Sequence, residues 1–211
     1  MTAEYSEPKH RGFFSSWVQI GAPVGFLLPL ALFALLNATL SPEAMMDYGW
    51  RIPFLLSLLL VIVGLFIRLK IDESPVFAQI RETKAEESRP LVEVIRDFPG
   101  IVVKGVCAKL IEACTFAMFT VIVLAYGKAN NLDANILMET MIVAVIIEII
   151  AIPLMGSLCD KIGRKPVYII GALLQVVMII PFFLAINQDS FWLTQIVMIL
   201  VLSVGHSMCY A

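Results

Sequence analysis

Charge is what this chain has least of. Only 15% of its 211 residues are Asp, Glu, Lys or Arg, and the net charge is −2. So weak a balance offers no bulk field to attract nucleic acid. Paired cysteines are missing too. Cys107, Cys114, Cys159 and Cys209 form no C-x-x-C spacing and lie in or beside apolar runs, so they read as small buried hydrophobes. There is no Gly-rich phosphate loop after a strand, no zinc signature and no nucleophile–base constellation. No cofactor, metal or enzymatic activity is therefore expected. What fills the chain is apolar: 60% of residues are hydrophobic and the mean hydropathy is +0.90, well outside the soluble globular range.

The apolar residues come in runs long enough to cross a bilayer, which takes about 20 of them. Residues 12–42 carry no formal charge, and residues 52–67 form a denser run preceded by the interfacial aromatics Tyr48 and Trp50. Residues 100–126 are interrupted by Lys104, Lys109 and Glu112, and residues 136–158 only by Glu139 and Glu148. Residues 166–186 and 191–211 are uncharged. The expected fold class is an all-α membrane protein with six transmembrane helices. The first run is too long for a signal peptide, and Glu4 and Glu7 precede it.

Orientation follows from the bases between the runs. Lys9 and Arg11 precede the first span; Arg68, Lys70, Arg81, Lys84, Arg89 and Arg96 lie between the second and third; Lys161, Arg164 and Lys165 lie between the fourth and fifth. The alternate connections hold only Lys128, with Arg51 at an edge. The positive-inside rule then places the N-terminus and these basic loops in the cytoplasm. The long connection at residues 68–99 opens with Ser74 as a helix cap and Pro75 at the first helical position, which predicts a surface helix ending near Pro90. It divides the chain into a two-span piece (1–67), a cytoplasmic linker (68–99) and a four-span piece (100–211).

The charged hinge "GSLCDKIGRKP" at residues 156–166 is unusual between two apolar runs. Gly156 lets helix ends approach closely, Gly163 permits a tight reversal, and Asp160 and Arg164 are spaced to pair if the turn is helical. The order G-x-L-x-D-K-x-G-R-K, carried by Gly156, Leu158, Asp160, Lys161, Gly163, Arg164 and Lys165, resembles the signature loop of the major facilitator superfamily. "AEYSEPKHRGFFSSWVQIGAPVGFLL", "GWRIPFLLSLLLVIVGLFIRLKIDESPVF", "KLIEACTFAMFTVIVLAY" and "IEIIAIPLMGSLCDKIGRKPVY" are similar to stretches in and around the fifth to eighth spans of its metabolite:H⁺ symporter family. That resemblance covers essentially the whole chain. It implies a portion, roughly spans five to ten of twelve, of a secondary transporter for organic acids or zwitterionic solutes. A fragment, a split-gene product or an incomplete gene model is the expectation, with a separately encoded remainder as a possible partner.

Ionisable residues inside a membrane are functional candidates because burying them is costly. Lys109 and Glu112 are three residues apart and share a helix face about 15 Å from one surface; Glu148 on the next, antiparallel span lies at roughly the same depth. Lys109 is expected to attract a substrate carboxylate or pair with an acid, and Glu112 or Glu148 to take a coupling proton. A purely structural interhelical ion pair is the other expectation. Lys104 and Glu139 sit near span ends. Gln19, Asn37, Gln175 and Gln195 could line a polar path or bond between helices. Gly21, Pro23, Gly25 and Pro29 allow bending, and "NAT" at 37–39 is discounted as a glycosylation site at a span end. His10 reads as interfacial, and His206 as a helix-contact histidine before a proton relay.

The family resemblance implies that Asp160 acts as a gate latch on the start of a helix in the opposite half. Internal pseudo-symmetry points to the first span, near the backbone of residues 12–17. Two function classes follow: part of a proton-coupled symporter working by alternating access in the inner or plasma membrane, or a truncated membrane fragment that does not transport.

Overall fold

The computed structural model describes residues 6–70, 90–132, 134–188 and 190–211. The helix expected after Ser74 and Pro75 lies outside them. Helices fill the described residues, with no strand among them. They are α1 (Arg11–Gln19), α2 (Gly21–Thr39), α3 (Arg51–Lys70), α4 (Pro90–Asp97), α5 (Pro99–Ala117), α6 (Val123–Ala129), α7 (Ala134–Ile162), α8 (Arg164–Asn187) and α9 (Phe191–Met198). Among the described residues six helical stretches are long and apolar enough to cross a membrane: Arg11–Phe33, Pro42–Lys70, Pro99–Ala129, Ile136–Ile162, Arg164–Asn187 and Phe191–Tyr210. Several run past the uncharged segments, through Arg51, Arg68, Lys70 and Lys161, because backbone hydrogen bonding does not stop where hydropathy does. Without water every N–H and C=O must be satisfied internally, which is why the apolar segments fold as helices.

Three of these stretches are not uniform. π-helical turns at Met45–Gly49, Met118–Ile122 and Ile199–His206 interrupt otherwise α-helical stretches. A π turn adds a residue to the local repeat and rotates the downstream side chains around the axis. Apolar periodicity gave no sign of any of them.

The chain forms two compact units, one made of Met1–Pro23 with Glu86–Ala211 and the other of Val24–Ala85. The second holds the body of α2 and all of α3, joined through a short turn at Pro42–Ala44 that Ser41 caps by accepting the Ala44 N–H at 3.3 Å. Leu55, Leu58, Leu59, Val61, Ile62 and Phe66 on α3 are all exposed, as suits a helix bathed in hydrocarbon.

In the first unit α7 is the central helix, packed against α1, α8 and the Phe191–Tyr210 stretch. Its core contains Phe119, Met141, Val145, Ile152, Phe182, Met198 and Leu202, all essentially inaccessible, with Phe119 and Phe182 edge to face at 4.7 Å. In a bilayer such burial gains little from the hydrophobic effect, since lipid tails are as apolar as the core; close packing and interhelical hydrogen bonds hold the helices instead. Ser203 donates to the Ala144 carbonyl at 2.6 Å, Gln195 to the Thr140 carbonyl at 3.2 Å and Tyr168 to the Ala108 carbonyl at 2.7 Å. Glycines set the closest approaches. A Cβ on Gly156 would lie 2.6 Å from the Gly12 carbonyl oxygen, and one on Gly171 would lie 2.8 Å from that of Gly205.

Candidate functional site

Asp160 lies on the last turn of α7. Its Oδ1 accepts the Gly12 N–H at 2.7 Å and its Oδ2 the Phe13 N–H at 3.0 Å. These are the second and third residues of α1, a helix with no side-chain cap of its own. The first four N–H groups of a helix have no internal partner, so Asp160 does for α1 what an N-cap residue does, from far along the chain. Its negative charge also sits at the positive end of the helix dipole. The approach needs Gly156 and Gly12 in contact, and Ser16, fully buried beside them, donates to the Phe13 carbonyl at 2.6 Å.

The rest of the hinge differs from the helical turn that would pair Asp160 with Arg164. α7 ends at Ile162, Gly163 takes a φ of +91° that disfavours any side chain, and Arg164 begins α8. Arg164 thus belongs to the next helix and forms no ion pair with Asp160 among the described residues. Lys161, Arg164 and Lys165 are exposed around the turn.

A second cluster lies deeper. Lys109 and Glu112 on α5 form an ion pair through Glu112 Oε2. Glu112 is 8% exposed and Glu148 on α7 is wholly buried. Between them stands His206, 3% exposed, at the end of the Ile199–His206 π stretch. Its Nδ1 is 2.5 Å from Glu148 Oε1, and its Nε2 is 3.8 Å from Glu112 Oε1. The ring stacks on Tyr210 at 5.1 Å and meets Phe116 at 5.3 Å, and Lys109 lies over the Tyr210 ring at 5.3 Å. Lys109 thus pairs with an acid of its own helix, and the two carboxylates converge on an imidazole.

Sequence reasoning set His206 aside as a helix-contact residue. Its one sequence signal was position: a lone histidine in an uncharged span. Two openings adjoin the cluster. One, of about 260 Å³, is lined by Ala22, Pro23, Glu112, Phe116, Glu148, His206 and Tyr210. The other, of about 510 Å³, is lined by Gln19, Lys109, Glu112, Tyr168, Cys209 and Tyr210 among others. Glu148 Oε2 and His206 Nε2 have no hydrogen-bond partner.

The weaker candidates divide. Gln175 donates to Cys209 Sγ at 3.2 Å and Gln195 bonds Thr140, so both join helices; Gln19 lines the larger opening. Lys104 and Glu139 are exposed, and so is His10, which meets Glu7 at 3.8 Å. The Asn37 side chain lies outside the described residues. Cys159 is buried and Cys209 half-buried, but Cys107 and Cys114 are exposed on α5, which corrects the expectation of four buried thiols. No group of His, Cys, Asp and Glu among the described residues could hold a metal ion.

The sequence profile of the Major Facilitator Superfamily matches residues 1–211. The chain is 31% identical over 207 residues to the shikimate transporter of Escherichia coli (strain K12), covering 96% of this chain and 47% of that protein. It is 32% identical over 170 residues to the inner membrane metabolite transport protein YhjE of the same organism, covering 78% of this chain and 39% of the relative. To the proline/betaine transporter of E. coli (strain K12) it is 31% identical over 203 residues, 89% of this chain and 39% of the relative. The chain thus spans about half the length of the curated relatives it matches, or less. No solved structure matches it.

Proposed function

The chain belongs to the Major Facilitator Superfamily, a multi-pass membrane protein family, and on that premise we propose that it forms part of a secondary active transporter. In this reading it serves proton-coupled symport of a small organic acid or zwitterionic solute by alternating access across the cell membrane, with the N-terminus in the cytoplasm. The α1–α3 region closes one half of the transporter, the connection around 68–99 is a cytoplasmic linker, and the helices from α5 onward belong to the other half.

The observation that carries the proposal is the pair of buried acids beside an open polar cleft. Glu148 is fully inaccessible and Glu112 nearly so, yet both border cavities inside a membrane-spanning unit. Acids are not held there without a task or a partner, and transporters place substrate and ion sites near the midplane. Lys109, exposed toward the larger opening, offers a cation to a substrate carboxylate. Asp160, bonded to the start of α1, supports a latch that makes and breaks as the halves rock; Gly156 and Gly163 shape it, and Lys161, Arg164 and Lys165 flank it.

The test is uptake. The complete reading frame containing this sequence is expressed in cells or reconstituted in liposomes, with labelled shikimate, proline and betaine as probes and an imposed proton gradient. Accumulation that collapses when the gradient is dissipated, and is lost in Glu112→Gln or Glu148→Gln, supports the proposal. A frame that inserts yet moves no probe under any gradient favours the alternative, a non-transporting membrane segment.

A further inference from the structure

The contacts of His206 define where a proton would be held, and this inference rests on the proton-coupled reading above. We infer that the coupling proton is bound by His206 Nε2 against Glu112, and that taking it up draws α5 toward the helix that carries His206.

Two oxygens face the ring at different distances. At 2.5 Å, Nδ1 and Glu148 Oε1 are too close to be two bare acceptors, so a proton lies between them whichever atom owns it. With that proton on Nδ1 and Glu148 ionised, Nε2 is an acceptor, and it confronts Glu112 Oε1, another acceptor, at 3.8 Å. The gap is about 1 Å longer than a charge-assisted N–H···O bond. A second proton, taken from solution onto Nε2, converts that contact into a donor–acceptor pair. No covalent bond to carbon forms or breaks; the ring gains one proton and later returns it.

Charge favours the same step. With one proton on the ring, Glu112 and Glu148 face a single Lys109 cation and the cluster is anionic by one. With two, it is neutral, the form that burial in a membrane favours. Glu112 need not release Lys109, because Lys109 holds Oε2 and Nε2 would hold Oε1. The groups around His206 are few. Glu148 faces it from α7, Glu112 and Lys109 from α5, and Tyr210 and Cys209 lie just beyond it on its own helix. Tyr168 of α8 borders the adjoining opening, and Ala22 and Pro23 contribute no titratable side chain.

The experiment is solid-state NMR of the full chain in lipid bilayers with ¹⁵N-histidine and ¹³C-glutamate. The sequence has two histidines, so His10→Gln leaves His206 as the sole signal. On acidification both ring nitrogens are expected to become protonated, and the Nε2–Glu112 separation to fall from 3.8 Å to about 2.8 Å. At a pH where the wild type is half converted, Glu112→Gln should cut the doubly protonated fraction about fivefold, as a tenfold weaker proton affinity would. A ring that converts equally well in Glu112→Gln, or a wild-type separation that stays constant through the titration, overturns the inference. If Glu112→Gln does not fold, the wild-type distance decides alone. Absence of uptake with a ring that behaves as described removes the transport reading and leaves the proton site. Proton-driven uptake with a ring insensitive to Glu112 removes only this inference.

Discussion

Replacing Asp160 with Asn isolates the charge of the latch from its shape. The carboxylate accepts two backbone N–H groups, from Gly12 at 2.7 Å and Phe13 at 3.0 Å, and α1 has no other cap. An amide keeps one accepting oxygen and turns an NH₂ toward the other donor, so one hydrogen bond to a charged group is lost, about 1.5–3 kcal/mol. Removing the negative charge from the helix N-terminus costs about 0.3–1 kcal/mol more. Opening of the first turn of α1 should become easier by roughly 2–4 kcal/mol, which is at least about thirtyfold in the opening equilibrium. Hydrogen–deuterium exchange at the Gly12 and Phe13 amides of the purified protein reads this directly. Exchange in Asp160→Asn within about threefold of wild type would refute the capping argument, because 3-fold corresponds to well under 1 kcal/mol.

Three further outcomes bear on the same unit. Arg164→Gln should leave exchange at Gly12 and Phe13 unchanged, because Arg164 lies beyond the Gly163 break and does not pair with Asp160; faster exchange would show a coupling the geometry lacks. Gly156→Val puts a Cβ 2.6 Å from both the Gly12 carbonyl and Ser16 Oγ, and overpacking of that kind should lower resistance to denaturant by about 1–3 kcal/mol. Ser203→Ala removes a buried 2.6 Å bond between the π stretch and α7, and in a membrane should cost about 0.6–1.7 kcal/mol in the same assay.

How much of this was legible in the sequence depends on whether a feature is local. The spans were, because roughly twenty apolar residues in a row have few other uses. That Asp160 would meet the start of the first span came from the family resemblance and its internal pseudo-symmetry; the residues themselves showed only that Gly156 allows a close helix approach, which its contact with Gly12 uses. The pairing of Asp160 with Arg164 was not legible, because whether four residues complete a turn depends on the φ of Gly163, and glycine permits either answer. Lys109, Glu112 and Glu148 announced themselves as charges in apolar runs. His206 did not, because a neutral imidazole in a span carries no such cost, and the π stretch before it sets the direction it faces.

The two candidate sites share one helix, and that constrains how each can work. Glu148 and Asp160 are twelve residues apart on α7, about 18 Å along the axis and about 120° around it. Glu148 accordingly meets the helix bearing His206, while Asp160 meets α1. Pro153 lies between them inside α7 and cannot donate to the carbonyl one turn earlier, which leaves the ladder weakest between the two sites. Ser157 donates back to the Pro153 carbonyl at 3.1 Å, a contact of the kind that bends helices. A rotation of the upper half of α7 about this point would reorient Glu148 without breaking the Gly12–Gly156 contact, whereas a rigid displacement of the whole helix would disturb both. Asp160→Asn distinguishes these cases. If the signals of the His206 ring change with the latch, α7 transmits as a rod; if they do not, the helix is divided at Pro153 and its two ends act separately.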